Sequence, residues 1–92
     1  MTLVRVSESA YRDLARLAGW LAPRSPRAAD QAADVLSEAI ASLSEFPERG
    51  RLVGGRVREL PVRFGRYGYI VRYRISKAGV TVTRLRHTRE RA

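Results

Sequence analysis

Midway along the chain, the spacing of apolar residues changes from that of a helix to that of a strand. Ahead of Phe46-Pro47-Glu48-Arg49-Gly50 they recur three and four residues apart. Ala10, Leu14, Leu17, Ala18 and Leu21 make one such series, and Ala29, Ala32, Ala33, Leu36, Ile40 and Leu43 make another. This spacing gathers each series on one side of a helix. Beyond the break the period is two. Tyr67, Tyr69, Val71, Tyr73 and Ile75 alternate with Gly68, Ile70, Arg72 and Arg74, as in a strand with one buried face. A helical first half and a stranded second half predict an α+β fold whose two helices lie on a single sheet.

Local signals set the expected boundaries. Thr2–Val6 reads as a short first strand. Ser7 is placed to cap a helix over Glu8–Leu21, which Pro23 ends. Ser25 caps a second helix, with Pro26 at the first helical position, where its missing N–H does no harm. That helix is expected to run to about Glu45, and the short Pro23–Pro26 link makes the pair an antiparallel hairpin. Arg56–Val62 is expected to be a strand, with Pro61 marking an edge or a bulge. Tyr67–Ile75 follows, Ser76–Gly79 turns, and Val80–Arg86 returns. The predicted order is β-α-α-β-β-β, a helical hairpin packed on a small antiparallel sheet, in a single domain spanning residues 1–92.

Composition narrows the functions open to such a fold. With no cysteine there is no disulfide, thiolate metal site or cysteine nucleophile. No glycine-rich phosphate loop, metal-ligand cluster or Ser/His/Asp set is present, so neither a cofactor nor a metal is expected. No apolar run reaches the length of a membrane helix and no signal peptide opens the chain, which predicts a cytoplasmic protein without a membrane partner. The net charge of +9 is concentrated in one half. Residues 1–48 carry five arginines against seven acids, and residues 49–92 carry twelve arginines and one lysine against Glu59 and Glu90 alone. An asymmetry of this kind points to an anionic partner.

The candidate site residues come from that basic half. His87, the only histidine, lies between Arg86 and Arg89 just past the last strand. It is a candidate acid or base for RNA cleavage, with arginines stabilising the phosphorane. It fits better as a strand-end residue whose ring bonds the adjacent loop. Arg72 with Arg74, and Arg84 with Arg86, are spaced to form a cationic sheet face for phosphate or acidic peptide. The same pairs also suit a solvated face that blunts edge pairing. Tyr67, Tyr69 and Tyr73 fit core packing better than base stacking. Trp20 suits either the hairpin core or an exposed anchor for a partner.

Taken together, several segments resemble the RelE/ParE toxin superfamily, and its ParE branch more closely. They are Ala10-Tyr11-Arg12-Asp13-Leu14, Ser25-Pro26-Arg27-Ala28-Ala29, Ile40-Ala41-Ser42-Leu43, Phe46-Pro47-Glu48-Arg49-Gly50, Val57-Arg58-Glu59-Leu60, Tyr69 through Ile75, and Leu85-Arg86-His87-Thr88-Arg89. The resemblance implies the toxin of a bacterial type II toxin–antitoxin pair, neutralised by a cognate antitoxin that lays an amphipathic, often acidic segment along it. RelE-like toxins cut mRNA on the ribosome, whereas ParE-like toxins poison DNA gyrase without being nucleases. Where RelE-like chains begin a strand with Gly-Tyr-Arg, this one has Gly68-Tyr69-Ile70, and their late tyrosine has no counterpart after Tyr73. A second RelE-like arginine falls on Arg89. The resemblance therefore favours a non-catalytic gyrase inhibitor, with Arg58, Arg72, Arg74, Arg84, Arg86, Arg89 and Trp20 as candidate partner contacts. The alternative is a ribosome-dependent mRNA endonuclease using His87, Arg89 and Arg72.

Overall fold

Each helix starts at a serine that accepts a backbone hydrogen bond. Ser7 is extended and its hydroxyl accepts the Ala10 N–H at 3.1 Å, which starts α1, Glu8–Leu21. Ser25 accepts the Ala28 N–H at 3.2 Å and starts α2, Pro26–Ser42, with Pro26 in the first turn. Each cap satisfies one of the N–H groups that a helix start leaves without a partner. The computed structural model describes residues 1–90. Within them no helix is long and apolar enough to cross a membrane.

The second helix stops three residues short of the expected Glu45. Leu43, Ser44 and Glu45 donate to carbonyls three residues back, at Ile40, Ala41 and Ser42, which tightens the chain out of the α geometry. The Phe46 N–H still reaches the Ser42 carbonyl at 2.9 Å, and Pro47, with no N–H to give the Leu43 carbonyl, ends the turn there.

Five strands form the sheet: β1 (Val4–Val6), β2 (Arg51–Gly54), β3 (Val57–Phe64), β4 (Tyr67–Ser76) and β5 (Gly79–His87). Their spatial order is β1-β5-β4-β3-β2. The α+β layout expected from sequence is present, with two differences. First, β1 runs parallel to β5, Val4 opposite Val80 and Val6 opposite Val82, so the sheet is mixed rather than wholly antiparallel. Parallel neighbours need a long connection, and everything between residues 6 and 79 supplies it. Second, β2 is an additional edge strand. All four of its residues are exposed and its pairing slips between Leu52 and Gly54, so no buried alternation marks it in the sequence. Pro61 lies in β3 beyond Glu59, the last residue of that strand opposite β2, so its missing N–H falls on an open edge.

The helices cover one face of the sheet only, α1 over β5 and α2 over β3. The buried stripe of α2 is Ala32, Leu36 and Ala39, continued by Leu43 just past its end, while Ala33, on the predicted stripe, is exposed. Against it lie Leu60 and Val62 of β3, Val71 and Tyr73 of β4, and Val80, Val82 and Leu85 of β5. Tyr73 is wholly buried and works twice. Its hydroxyl donates to the Pro47 carbonyl and accepts the Gly50 N–H, both at 2.7 Å, which ties the helix-to-sheet break to the middle of the sheet. Gly50 is glycine for want of space: a Cβ there would lie 2.6 Å from the Tyr73 hydroxyl.

Candidate functional site

Among the described residues, β5 has no strand on its outer side past Val82, because β1 ends at Val6. The first helix takes over that edge. Ser7 donates its N–H to the Val82 carbonyl at 2.9 Å. One turn and a half further on, Asp13 is 6% exposed within the apolar face of α1 and accepts the Leu85 N–H at 2.9 Å. Arg84 Nε donates to the same carboxylate oxygen at 2.8 Å. Arg16 adds longer bonds to Asp13 and to the Leu85 carbonyl, both 3.4 Å. Burial by itself raises the Asp13 pKa. The hydrogen bonds from Arg84, Leu85 and Arg16 and the Arg84 charge outweigh it, so the carboxyl sits below its ordinary range.

The chain past β5 is held by Glu90. Its carboxylate accepts the His87 N–H at 2.7 Å and pairs with Arg16 of α1. The fold-back puts Arg89 across Tyr67, with a 2.7 Å bond from Nη1 to the phenol oxygen and its guanidinium 4.8 Å from the ring centre. The backbone N–H of Arg89 donates to His87 Nδ1 at 3.2 Å, the local loop bond that is one of the two roles weighed for this histidine. The imidazole meets Tyr67 and Tyr69 edge-on, at 5.9 and 5.5 Å between centroids. Burial raises the pKa of the Tyr69 phenol. Tyr69 and Tyr73 are buried in the core, whereas Tyr67 is exposed.

Of the remaining candidates, Arg72, Arg74 and Arg86 share the helix-free face of the sheet, whereas Arg58, Arg84 and Trp20 lie apart from it. Arg72 donates through Nε and Nη2 to one Glu59 oxygen, at 3.0 and 2.7 Å, on the helix-free side of the sheet. Arg74 lies one row along on that side, opposite Val57 and Thr81. Arg86 is opposite Ile70 and donates to the Glu90 carbonyl at 3.4 Å. A bulge between Val82 and Arg84 breaks the register of β5, and Arg84 is drawn to α1 instead of extending the Arg86 row. Arg58 faces the helix side, where it donates to the carbonyls of Glu48 and Gly50 and so braces the break. Trp20 is exposed near the end of α1, with the Arg24 guanidinium 4.2 Å above its ring. His87 and Arg89 are thus together, and Arg72 is apart from them: register puts His87 in the row of Tyr69 on the helix side and Arg72 on the opposite face.

Asp13 and Glu90 are positioning residues that the sequence reading passed over. A charge inside an apolar helix stripe is the signal for Asp13. For Glu90 it is one of only two acids among thirteen basic residues.

Two helices on one face of a five-stranded sheet, with the other face arginine-rich, define a small α+β domain. A chain of the chromosomal ParDE toxin–antitoxin system from P. aeruginosa has this fold, with a TM-score of 0.79 over 95% of this chain and 96% of that one, at 18% identity. Residues 4–92 match the family of the ParE toxin of the type II toxin–antitoxin system parDE, and the chain belongs to that family. It is also similar to two Caulobacter vibrioides proteins. Toxin RelE1 is 46% identical over 84 residues, 91% of this chain and 90% of that one. Toxin RelE3 is 38% identical over 91 residues, 99% of each.

Proposed function

We propose that this toxin acts by gripping DNA gyrase in the cytoplasm, that it has no nuclease chemistry of its own, and that a cognate antitoxin neutralises it through an amphipathic, acidic segment. The observation that carries the reading is the separation of the three nuclease candidates. General acid–base cleavage of a phosphodiester needs its acid, base and charge-stabilising groups within hydrogen-bond reach of one substrate atom cluster. Arg72 and His87 project from opposite faces of the sheet, and Arg72 is engaged by Glu59. Arg89 is engaged by Tyr67. ParE family membership supports the same reading.

A second reading rests on Tyr67, His87 and Arg89, which do gather at one end of the sheet, and on the RelE names of the Caulobacter relatives. It is a ribosome-dependent mRNA endonuclease. Purified toxin in a gyrase supercoiling assay, beside a ribosome-dependent mRNA cleavage assay, separates the two. Lost supercoiling or trapped cleaved DNA with intact mRNA is the expected result. Cut mRNA with unimpaired gyrase rejects the first reading in favour of the second.

A further inference from the structure

Among the described residues nothing covers the sheet face opposite the helices, and arginine is its commonest residue. Register places Arg5, Thr81, Arg74 and Val57 in one row and Arg51, Glu59 and Arg72 in the next. Arg86 lies across from Ile70, and Arg63 across from Gly68. Glu59 is the one carboxylate among these strand positions, and Arg72 takes it. Arg5, Arg63 and Arg74 are exposed and have no ion-pair partner among the described residues. Most of the acids lie elsewhere, on α1, α2 and the break that follows. The molecule is therefore electrostatically two-sided, and this face is its cationic pole.

What the face lacks is as informative. Every strand aromatic (Phe64, Tyr67, Tyr69, Tyr73) and His87 belongs to the helix-side rows. Proteins that hold single strands stack bases on aromatic rings, and this face offers none. Its apolar members are Val57, Pro61 and Ile70, which give flat contact without π-stacking. Arginine forks suit phosphate oxygens in bidentate geometry. An uncovered surface of separated guanidiniums without stacking groups suits a helix whose bases are already stacked and whose phosphates face outward.

We propose that the helix-free sheet face binds the phosphate backbone of duplex DNA without reading its bases. The inference rests on the gyrase reading for its setting, since gyrase works on duplex DNA; the toxin then grips the enzyme and its DNA together.

Fluorescence anisotropy of the full chain with a short fluorescein-labelled DNA duplex of mixed sequence, across a salt series, tests it. Arg5, Arg51, Arg63, Arg74 and Arg86 predict a slope of log affinity against log salt of about −4.5, or several hundred-fold weaker binding on going from about 50 to 200 mM salt. Arg63→Gln and Arg74→Gln each flatten the slope by about 0.9. Arg12→Gln and Arg27→Gln remove the same charge from the helices and leave it unchanged. All four side chains are exposed, and unchanged far-UV circular dichroism checks that the variants fold. A slope near zero, equal flattening by the helix variants, or tighter binding to a single-stranded oligonucleotide of the same length overturns the proposal. Wild-type protein that inhibits gyrase but does not bind duplex overturns this inference and leaves the gyrase reading standing. Duplex binding with unimpaired supercoiling does the reverse.

Discussion

Asp13→Ala removes the carboxylate through which α1 occupies the edge of β5, and the contacts indicate how the loss divides. The Leu85 N–H is buried and meets a charged acceptor at 2.9 Å. A hydrogen bond to a charged group contributes roughly 1.5–3 kcal/mol, and a buried donor left bare forfeits a similar amount. The Arg84 pair looks stronger because it is short, but the arginine side chain is 59% exposed. Exposed pairs contribute about 0.2–1 kcal/mol. Asp13→Ala should therefore cost about 2–4 kcal/mol, and Arg84→Met clearly less. In a domain of this size the alanine variant melts roughly 8–30 °C lower. Asp13→Asn keeps an acceptor for Leu85 and should fall between the two. Urea unfolding followed by far-UV circular dichroism measures all three. The reasoning fails if Arg84→Met costs as much as Asp13→Ala, because the ion pair and not the strand edge would then be what Asp13 serves. Acidity gives a second check. The folded pKa of Asp13 is depressed, so its stabilisation is complete above the unfolded value of about 4 and disappears as pH falls through the lower, folded value. Between neutral pH and pH ~3 the wild type should lose more stability than Asp13→Asn.

Tyr73→Phe should cost about 1–3 kcal/mol, because it strands the Gly50 N–H and the Pro47 carbonyl, and Gly50→Ala should cost more. The phenylalanine would not rescue the alanine, since Cε1 of residue 73 also lies 2.8 Å from the added Cβ; a double variant as stable as Tyr73→Phe alone would refute this. His87→Ala should leave gyrase inhibition within about twofold of wild type in the supercoiling assay, and loss of inhibition would make the imidazole part of the working surface. Trp20→Ala should change stability by no more than about 1 kcal/mol, the worth of an exposed cation–π contact, while weakening antitoxin binding roughly tenfold or more in calorimetric titration. Unchanged antitoxin affinity would remove Trp20 from the candidate contacts.

The parts of this fold readable from sequence are those fixed by neighbours in the chain. Ser7, Ser25 and Pro26 announce helix starts within three or four residues of the groups they satisfy. The tyrosine and valine alternation of β4 shows its buried face directly. β2 was not readable, because a four-residue strand with every residue exposed has no alternation to detect. The direction of β1 was hidden for a different reason: three residues specify a strand, and only distant Val80–Val82 decides how it runs. The arginines gave the least away. Their number was plain, but which of them are neutralised depends on pairings 13 residues apart for Arg72 with Glu59 and 71 apart for Arg84 with Asp13. For that reason a cationic face of Arg72, Arg74, Arg84 and Arg86 was a sound expectation, from which the bulge in β5 and the pairing with Asp13 withdraw Arg84 alone.

The parallel pairing of β1 with β5 also orders events during synthesis. The neighbour of Val4 is Val80, and chains grow at roughly 5–20 residues per second, so the first strand waits about 4–15 s for it. Throughout that interval the Asp13 carboxylate has no Leu85 to receive, and Tyr67 has no Arg89 to hold. A ribosome-arrested chain halted before Val80 emerges should therefore be readily cut by protease, whereas one that exposes residue 90 should resist. A toxin assembled this way stays incomplete through most of its translation, and its basic face closes only with its last strand.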